Sequence, residues 1–189
     1  MQGGPFSPLR SESATYQARS GGWQVTSLSV GSALAQTVNH LYYQPRSTSG
    51  GRLDRIAVQV SSAVASSAQR FGIYLPATDG RPGELLDDLG TVATTGTGLA
   101  SLTVSVDLPP GLVYFATVSQ GGASGATVAA TTNSTQAFVA TVHYNNSTTN
   151  LFDAELVGFI QTGITGALPA TATPADHGGQ VPKVGWRWA

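Results

Sequence analysis

Residues 53–60 of the chain read LDRIAVQV, residues 70–75 read RFGIYL, and residues 102–108 read LTVSVDL. In each run apolar side chains occupy every second position, a period of two that indicates a half-buried β-strand. The runs are separated by residues 79–83 (DGRPG) and 109–111 (PPG), whose residue types favour turns. This stretch therefore predicts antiparallel strands joined by turns, and we expect an all-β, jelly-roll-like β-sandwich.

The same reasoning extends to the flanking sequence. Residues 112–118 (LVYFATV) are apolar on both faces and predict a central strand that is covered on both sides. Residues 47–51 (STSGG) read as a linker, and residues 184–188 (VGWRW) read as a closing strand. Apolar spacing over residues 150–160 also allows one short helix of marginal length.

Length and composition restrict the class of protein. A chain of 189 residues fits one domain with a substantial core, and charged residues make up only 10% of it, against about 25% in typical soluble domains. Two explanations of the low charge stay open: identical neighbours cover much of the surface, or Ser and Thr replace charged residues in contact with water. Stability must come from the core or from association, because the chain has no cysteine.

Charge and hydropathy also argue against two kinds of partner. The net charge is −1 and no run of Lys or Arg occurs, so the positive surface of a nucleic-acid-binding protein is missing. The N-terminal residues lack the apolar region of a secretory signal, and no stretch approaches the ~20 apolar residues that cross a bilayer. We therefore expect a soluble protein, made in the cytoplasm, without nucleic-acid binding or membrane insertion.

The N-terminal residues differ from the rest of the chain. Residues 1–22 are rich in Gly, Ser and Pro, and their large apolar anchors are Phe6, Leu9 and Tyr16. An arm of this composition cannot bury enough apolar surface to become ordered alone. We expect it to attach the protein to a partner, with residues 23–189 forming the sandwich domain. The alternative, an arm that adds an edge strand to its own sandwich, stays open.

Side chains that catalyse reactions or bind metals do not form a recognisable pattern. The candidates are the histidines His40, His143 and His177, the acidic cluster Glu84, Asp87 and Asp88, and the neighbouring acids Asp153 and Glu155. The histidines lack metal-ligand spacing, the acidic cluster is read as a solvated loop, and any chain with ten acids offers some adjacent pair. Neither a Gly-x-Ser-x-Gly sequence nor a phosphate-binding loop occurs. We predict no enzyme, no cofactor and no metal site.

Aromatic side chains are the stronger functional candidates, because sugar rings stack on Trp and Tyr. We take Trp23, Tyr42, Tyr43 and Tyr144 as possible glycan contacts. Tyr42 and Tyr43 are adjacent, so in a strand they point to opposite faces and one of them is expected to be exposed. The competing interpretation, favoured by strand parity, places Tyr144, Trp186 and Trp188 in the core.

Several of these segments, taken in order, resemble a β-sandwich domain that recurs in tailed-phage virion proteins, including tail-fibre, spike and head-fibre proteins. The resemblance covers about residues 23–189 and rests on structural strands and turns rather than on catalytic motifs. The segments are LYYQPR (41–46), LDRIAVQV (53–60), RFGIYL (70–75), GRPGEL (80–85), LGTV (89–92), LPPGLVYFATVSQ (108–120) and ALPATA (167–172).

The resemblance implies a virion-surface structural protein, a homotrimer that contacts other virion proteins and host-surface polysaccharide. It carries over no functional residue. The chain departs from the pattern in its short arm and in the LFDAELVGFI segment (151–160), which favours a compact decoration, spike or head-fibre subunit. A carbohydrate-binding or adhesin module of a bacterial surface or secreted protein is the alternative, and a glycan hydrolase or esterase is a more distant one.

Overall fold

The computed structural model describes residues 22–25, 32–131 and 158–189. Every regular element in these ranges is a β-strand, and ten strands form one antiparallel sheet. In chain order they are β1 (Gln24–Val25), β2 (Ser32–Ala35), β3 (Leu41–Ser62), β4 (Ala68–Pro76), β5 (Pro82–Ala93), β6 (Gly98–Gln120), β7 (Thr127–Ala130), β8 (Gly158–Gln161), β9 (Ala175–His177) and β10 (Gly185–Trp188). The prediction of an all-β fold is confirmed, as are the strands over residues 53–60, 70–75, 102–108 and 185–188.

The long strands β3 and β6 pair along almost their whole length, from Leu41 opposite Val118 to Val60 opposite Gly98. Two predictions are wrong here, because residues 47–51 are not a linker and residues 109–111 are not a turn. The two segments lie opposite each other and form a corner in the ribbon, where Gly50 (φ 83°) and Gly111 (φ 113°) adopt angles that favour glycine.

The corner folds the sheet over on itself. Phe115 is in the same row as Gln44, whereas Trp186 is in the same row as Ile56. Twelve residues of straight strand would separate these rows by about 40 Å, yet the rings of Phe115 and Trp186 stack with centroids 4.6 Å apart. The sheet therefore forms two facing layers that enclose a core between them.

We call the layer that contains β5, β4, β8, β9, the second half of β6 and the first half of β3 layer A. Layer B contains β1, β10, the first half of β6 and the second half of β3. At the end of β3 the strand β7 pairs with it, and β2 pairs with β7. The core between the layers includes Ile56, Phe71, Ile73, Phe115 and Trp186. Layer B is the more open of the two, because its outer face contains the exposed side chains described below.

Layer A is covered on both faces, as the sequence predicted for residues 112–118. Val113 and Phe115 face layer B, while Tyr114 and Val118 face a second apolar cluster on the outside. Residues 162–172, which we call the covering segment, close that cluster with Leu168 and Ala172. Their backbone is attached to layer A by bonds such as Leu85 N–H to Ala170 O at 2.9 Å and Ile164 N–H to Asn39 O at 3.0 Å.

Some predictions fall on residues that the structure does not describe. They concern the arm, with Phe6, Leu9 and Tyr16, the alternative placements of Tyr144, and residues 150–157 of the possible helix. The last residues of that helix lie in β8, where Phe159 pairs with Tyr43 of β3. The helix that the apolar spacing allowed therefore does not extend over the full range 150–160, since pairing with the sheet gives residues 158–160 an extended backbone.

Candidate functional site

The outer face of layer B contains three of the four large apolar side chains that are exposed among the described residues: Trp23, Val25 and Leu99. Val25 is in the same row as Gly185, Ala57 and Ser101, and the neighbouring row contains Arg187, Arg55 and Thr103. Trp23 precedes β1 by one residue, so its side chain leaves on the same face as that of Val25. This face is the candidate interaction surface.

Gly185 gives Trp23 its place on this surface. A Cβ built on Gly185 would lie 3.4 Å from a carbon of the Trp23 ring, so the indole lies over the glycine. The Cβ of an alanine here would touch the ring at about van der Waals distance, and a side chain that extends beyond Cβ would push the ring away. Trp23 is 38% exposed, which leaves part of its aromatic surface available to a ligand.

An ion pair lies on the same face. Arg187 Nε donates to both carboxylate oxygens of Asp54, at 2.8 and 3.0 Å, and its terminal nitrogen adds a third bond. These hydrogen bonds lower the pKa of Asp54 and raise that of Arg187. Both groups are therefore charged at neutral pH and present hydrogen-bonding atoms on the same face of layer B as the Trp23 ring.

A buried arginine holds β1 against the sandwich. Arg46 is only 8% exposed, and its terminal nitrogen donates to the carbonyl oxygen of Val25 at 2.5 Å. Its guanidinium also lies 5.5 Å from the ring centroid of Trp186. Burial lowers the pKa of Arg46 to about 10, so the group stays charged at neutral pH. The cation thus links the core to the strand that positions Trp23.

The two adjacent tyrosines do not belong to this surface. Tyr42 is 4% exposed and Tyr43 is fully buried, so the prediction that one of them is exposed is wrong. Tyr42 faces His177 with ring centroids 5.6 Å apart, and Tyr43 donates to Gln161 Oε1 at 2.7 Å on the other face. Both are buried because layer A is covered on its two faces. The sequence of two adjacent strand residues does not show whether the second face of their sheet is covered.

The tryptophans of the closing strand follow the core interpretation. Trp186 is buried between the layers and Trp188 packs against the same cluster. Tyr144 lies outside the described residues. Of the four predicted glycan contacts, only Trp23 is placed by the structure on an exposed surface.

The acidic cluster is not a solvated loop, and that prediction is wrong. Glu84, Asp87 and Asp88 belong to β5, and Asp88 accepts hydrogen bonds from Arg70 at 2.8 Å and from the Leu168 N–H at 2.9 Å. Burial alone would raise the pKa of Asp88, but the bonds from Arg70 and from backbone N–H groups lower it. Asp88 therefore attaches the covering segment to layer A.

The described residues contain no group of three or more His, Cys, Asp or Glu side chains that could bind a metal ion. Within the same ranges, no helix is long and apolar enough to span a membrane. His177 Nε2 lies 3.1 Å from the Gln180 carbonyl oxygen, which gives this histidine a structural contact in a loop.

Comparison with protein-family models, curated proteins and solved structures returned no match to this chain.

Proposed function

We propose that this protein is a non-enzymatic structural protein of a bacteriophage virion surface, a fibre, spike or capsid-decoration subunit made in the host cytoplasm. The resemblance of residues 23–189 to virion β-sandwich domains supports this proposal, and so does the all-β, two-layer fold. We also propose that the strands of the complete chain are connected in a jelly-roll-like order. The rigid sandwich acts as a platform that displays a surface, rather than as a container for reacting groups.

The observation that carries the binding role is the exposed indole of Trp23 on the same face of layer B as the Arg187–Asp54 pair. An aromatic ring takes the apolar face of a sugar, while neighbouring charged groups bind hydroxyls at its rim. The proposed ligand is a polysaccharide of the host surface. The same observation favours a second candidate, a carbohydrate-binding or adhesin module of a bacterial surface or secreted protein.

We propose that the protein forms a homo-oligomer, and the resemblance implies that this oligomer is a trimer. Its low charge supports extensive contacts between copies. In this proposal residues 1–22 attach the subunit to capsid or tail proteins through Phe6, Leu9 and Tyr16.

The location on a virion is tested with purified phage particles and the complete set of their proteins. We expect the protein in the particle, and we expect deletion of residues 1–22 to abolish attachment while the thermal stability and oligomeric mass of the remaining domain stay unchanged. Absence of the protein from particles, together with polysaccharide binding, would favour the adhesin module instead. Turnover of capsular polysaccharide by the pure protein would make it an enzyme.

The sugar contact is tested with Trp23→Ala in a binding assay with host-surface polysaccharide. Loss of the stacking surface is expected to weaken binding about tenfold or more, equivalent to at least ~1.4 kcal/mol. Leu86→Ala is the matched control, because Leu86 is similarly exposed at 36% but lies on β5 in the other layer. Equal binding by the two variants would exclude Trp23 from the contact.

A further inference from the structure

The edge of β6 in layer B is the feature that carries a further inference. Residues 98–106 of β6 pair with β3 on one side, and no described strand pairs with them on the other. Alternate N–H and C=O groups of an edge strand point away from its partner and can pair with another strand. No hydrogen bond between described residues reaches the outward-pointing backbone groups of residues 98–103.

The other edges that described strands form are protected. The described residues of β1, β2 and β9 number two, four and three, which offers little backbone to a long partner. The start of β5 is covered by the covering segment through a bridge between Glu84 and Thr171. The rest of β5 contains Asp87 and Asp88, and its register with β4 shifts at three places. Charges and irregular register both discourage pairing with another chain.

Over its first six residues the β6 edge lacks these protective features: it is neither short nor covered by another described segment, and it has neither charged residues nor an irregular register. The 16 residues from 91 to 106 contain no charged residue and no proline. The first irregularity comes at residues 104–105, where two residues of β6 lie opposite Asp54 of β3. Leu99 is 53% exposed on this edge, and Leu102 and Val104 face the core but are only partly buried. Residues 98–103 are therefore a regular, uncharged edge with apolar side chains on both faces.

We infer that residues 98–103 of β6 pair with the same residues of a second copy of this chain. An antiparallel contact about a twofold axis brings two identical edges together, so an uncharged strand meets an uncharged strand. With Ser101 opposite its own copy, Leu99 lies opposite Thr103 and Ala100 lies opposite Leu102. The partner then covers the half-buried core residues at the edge and continues layer B into a sheet shared by two copies.

This inference rests on the homo-oligomer of the proposed function and adds the surface that forms it. A twofold contact gives a dimer by itself. Combined with a threefold contact, such as the trimer that the resemblance implies, it gives an assembly with an even number of chains. The mass of the assembly therefore separates the edge contact from a trimer formed elsewhere.

The test uses the full chain at a series of concentrations. Mass comes from sedimentation or light scattering, and amide hydrogen exchange is followed at those N–H groups of residues 98–103 that point away from β3. We expect an even number of chains and slow exchange in the assembled protein. Leu99→Lys removes apolar contact and places a charge opposite Thr103 of the other copy on an edge that is otherwise uncharged, so it is expected to raise the dissociation constant about tenfold or more. Leu86→Lys, the same change on an exposed leucine of β5, is expected to leave it unchanged, and the thermal stability of each variant shows whether it folds.

Three results would overturn the inference. A bare trimer that Leu99→Lys does not alter would place the contact elsewhere and leave the oligomer of the proposed function intact. A monomer in which the N–H groups that point away from β3 exchange slowly at every concentration would show that the edge pairs within its own chain. A monomer with fast exchange at these groups would remove both the edge contact and the oligomer.

Discussion

Replacing Phe115 with alanine is expected to lower the free energy of unfolding by about 3–5 kcal/mol. The ring is 1% exposed and belongs to layer A, whereas its stacking partner Trp186 belongs to layer B. The substitution therefore removes a contact that exists only because the sheet folds over at its corner. Chemical denaturation of the two proteins measures the difference.

Leu99→Ala is the matched control for this measurement. Leu99 belongs to the same strand as Phe115 but is 53% exposed, so in the monomer its truncation is expected to change stability by less than about 0.5 kcal/mol. A loss of under ~1 kcal/mol for Phe115→Ala would contradict the packing of the two layers, since a phenylalanine buried on all sides cannot be truncated at so small a cost.

Gly50→Ala is expected to destabilise the protein by about 2–3 kcal/mol, because it combines two costs. With φ at 83°, the backbone is in the left-handed region, which disfavours residues with a Cβ. A Cβ at this position would also lie 3.2 Å from the Pro110 nitrogen and 3.3 Å from the Leu108 carbonyl oxygen. The corner of the ribbon would have to open to accept it.

Gly80→Ala separates the two costs. Gly80 has almost the same backbone angle, φ 80°, but a Cβ built on it meets nothing within 4 Å. Its replacement is expected to cost only the conformational part, about 1–2 kcal/mol. Thermal or chemical unfolding of both variants gives the difference, and equal losses would show that the corner tolerates a side chain.

The period-two pattern located the strands, because each strand has a core face that its own sequence records. The corner was not predictable in the same way. Glycine and proline at residues 109–111 are common in turns, and only the register, which places Thr48 opposite Gly111, distinguishes a bend in a ribbon from the end of a strand. Pairing between residues about 60 positions apart is invisible to a local pattern.

The candidate surface was predictable only in part. Trp23 was a candidate because sugar rings stack on Trp and Tyr, and the structure places it on an exposed surface. For Tyr42 and Tyr43 the expectation that one is exposed was wrong, because the covering segment that buries the outer face of layer A lies more than 100 residues away in the chain. Arg46 gave no signal, since nothing in LYYQPR distinguishes a buried cation from a solvated one. The pairing of Asp54 with Arg187 also depends on the register of β10 with β3.

The position of β10 has a consequence for synthesis. Its residues 185–188 lie between β1 and β3, so a strand that is synthesised after all the other described strands occupies the middle of layer B. Until then β1 lacks the described strand with which it pairs, and Phe115 lacks the indole against which it stacks. Layer B is therefore completed only after translation has passed residue 188. Until then the apolar face of the nascent β3–β6 ribbon is exposed to solvent, and aggregation competes with folding.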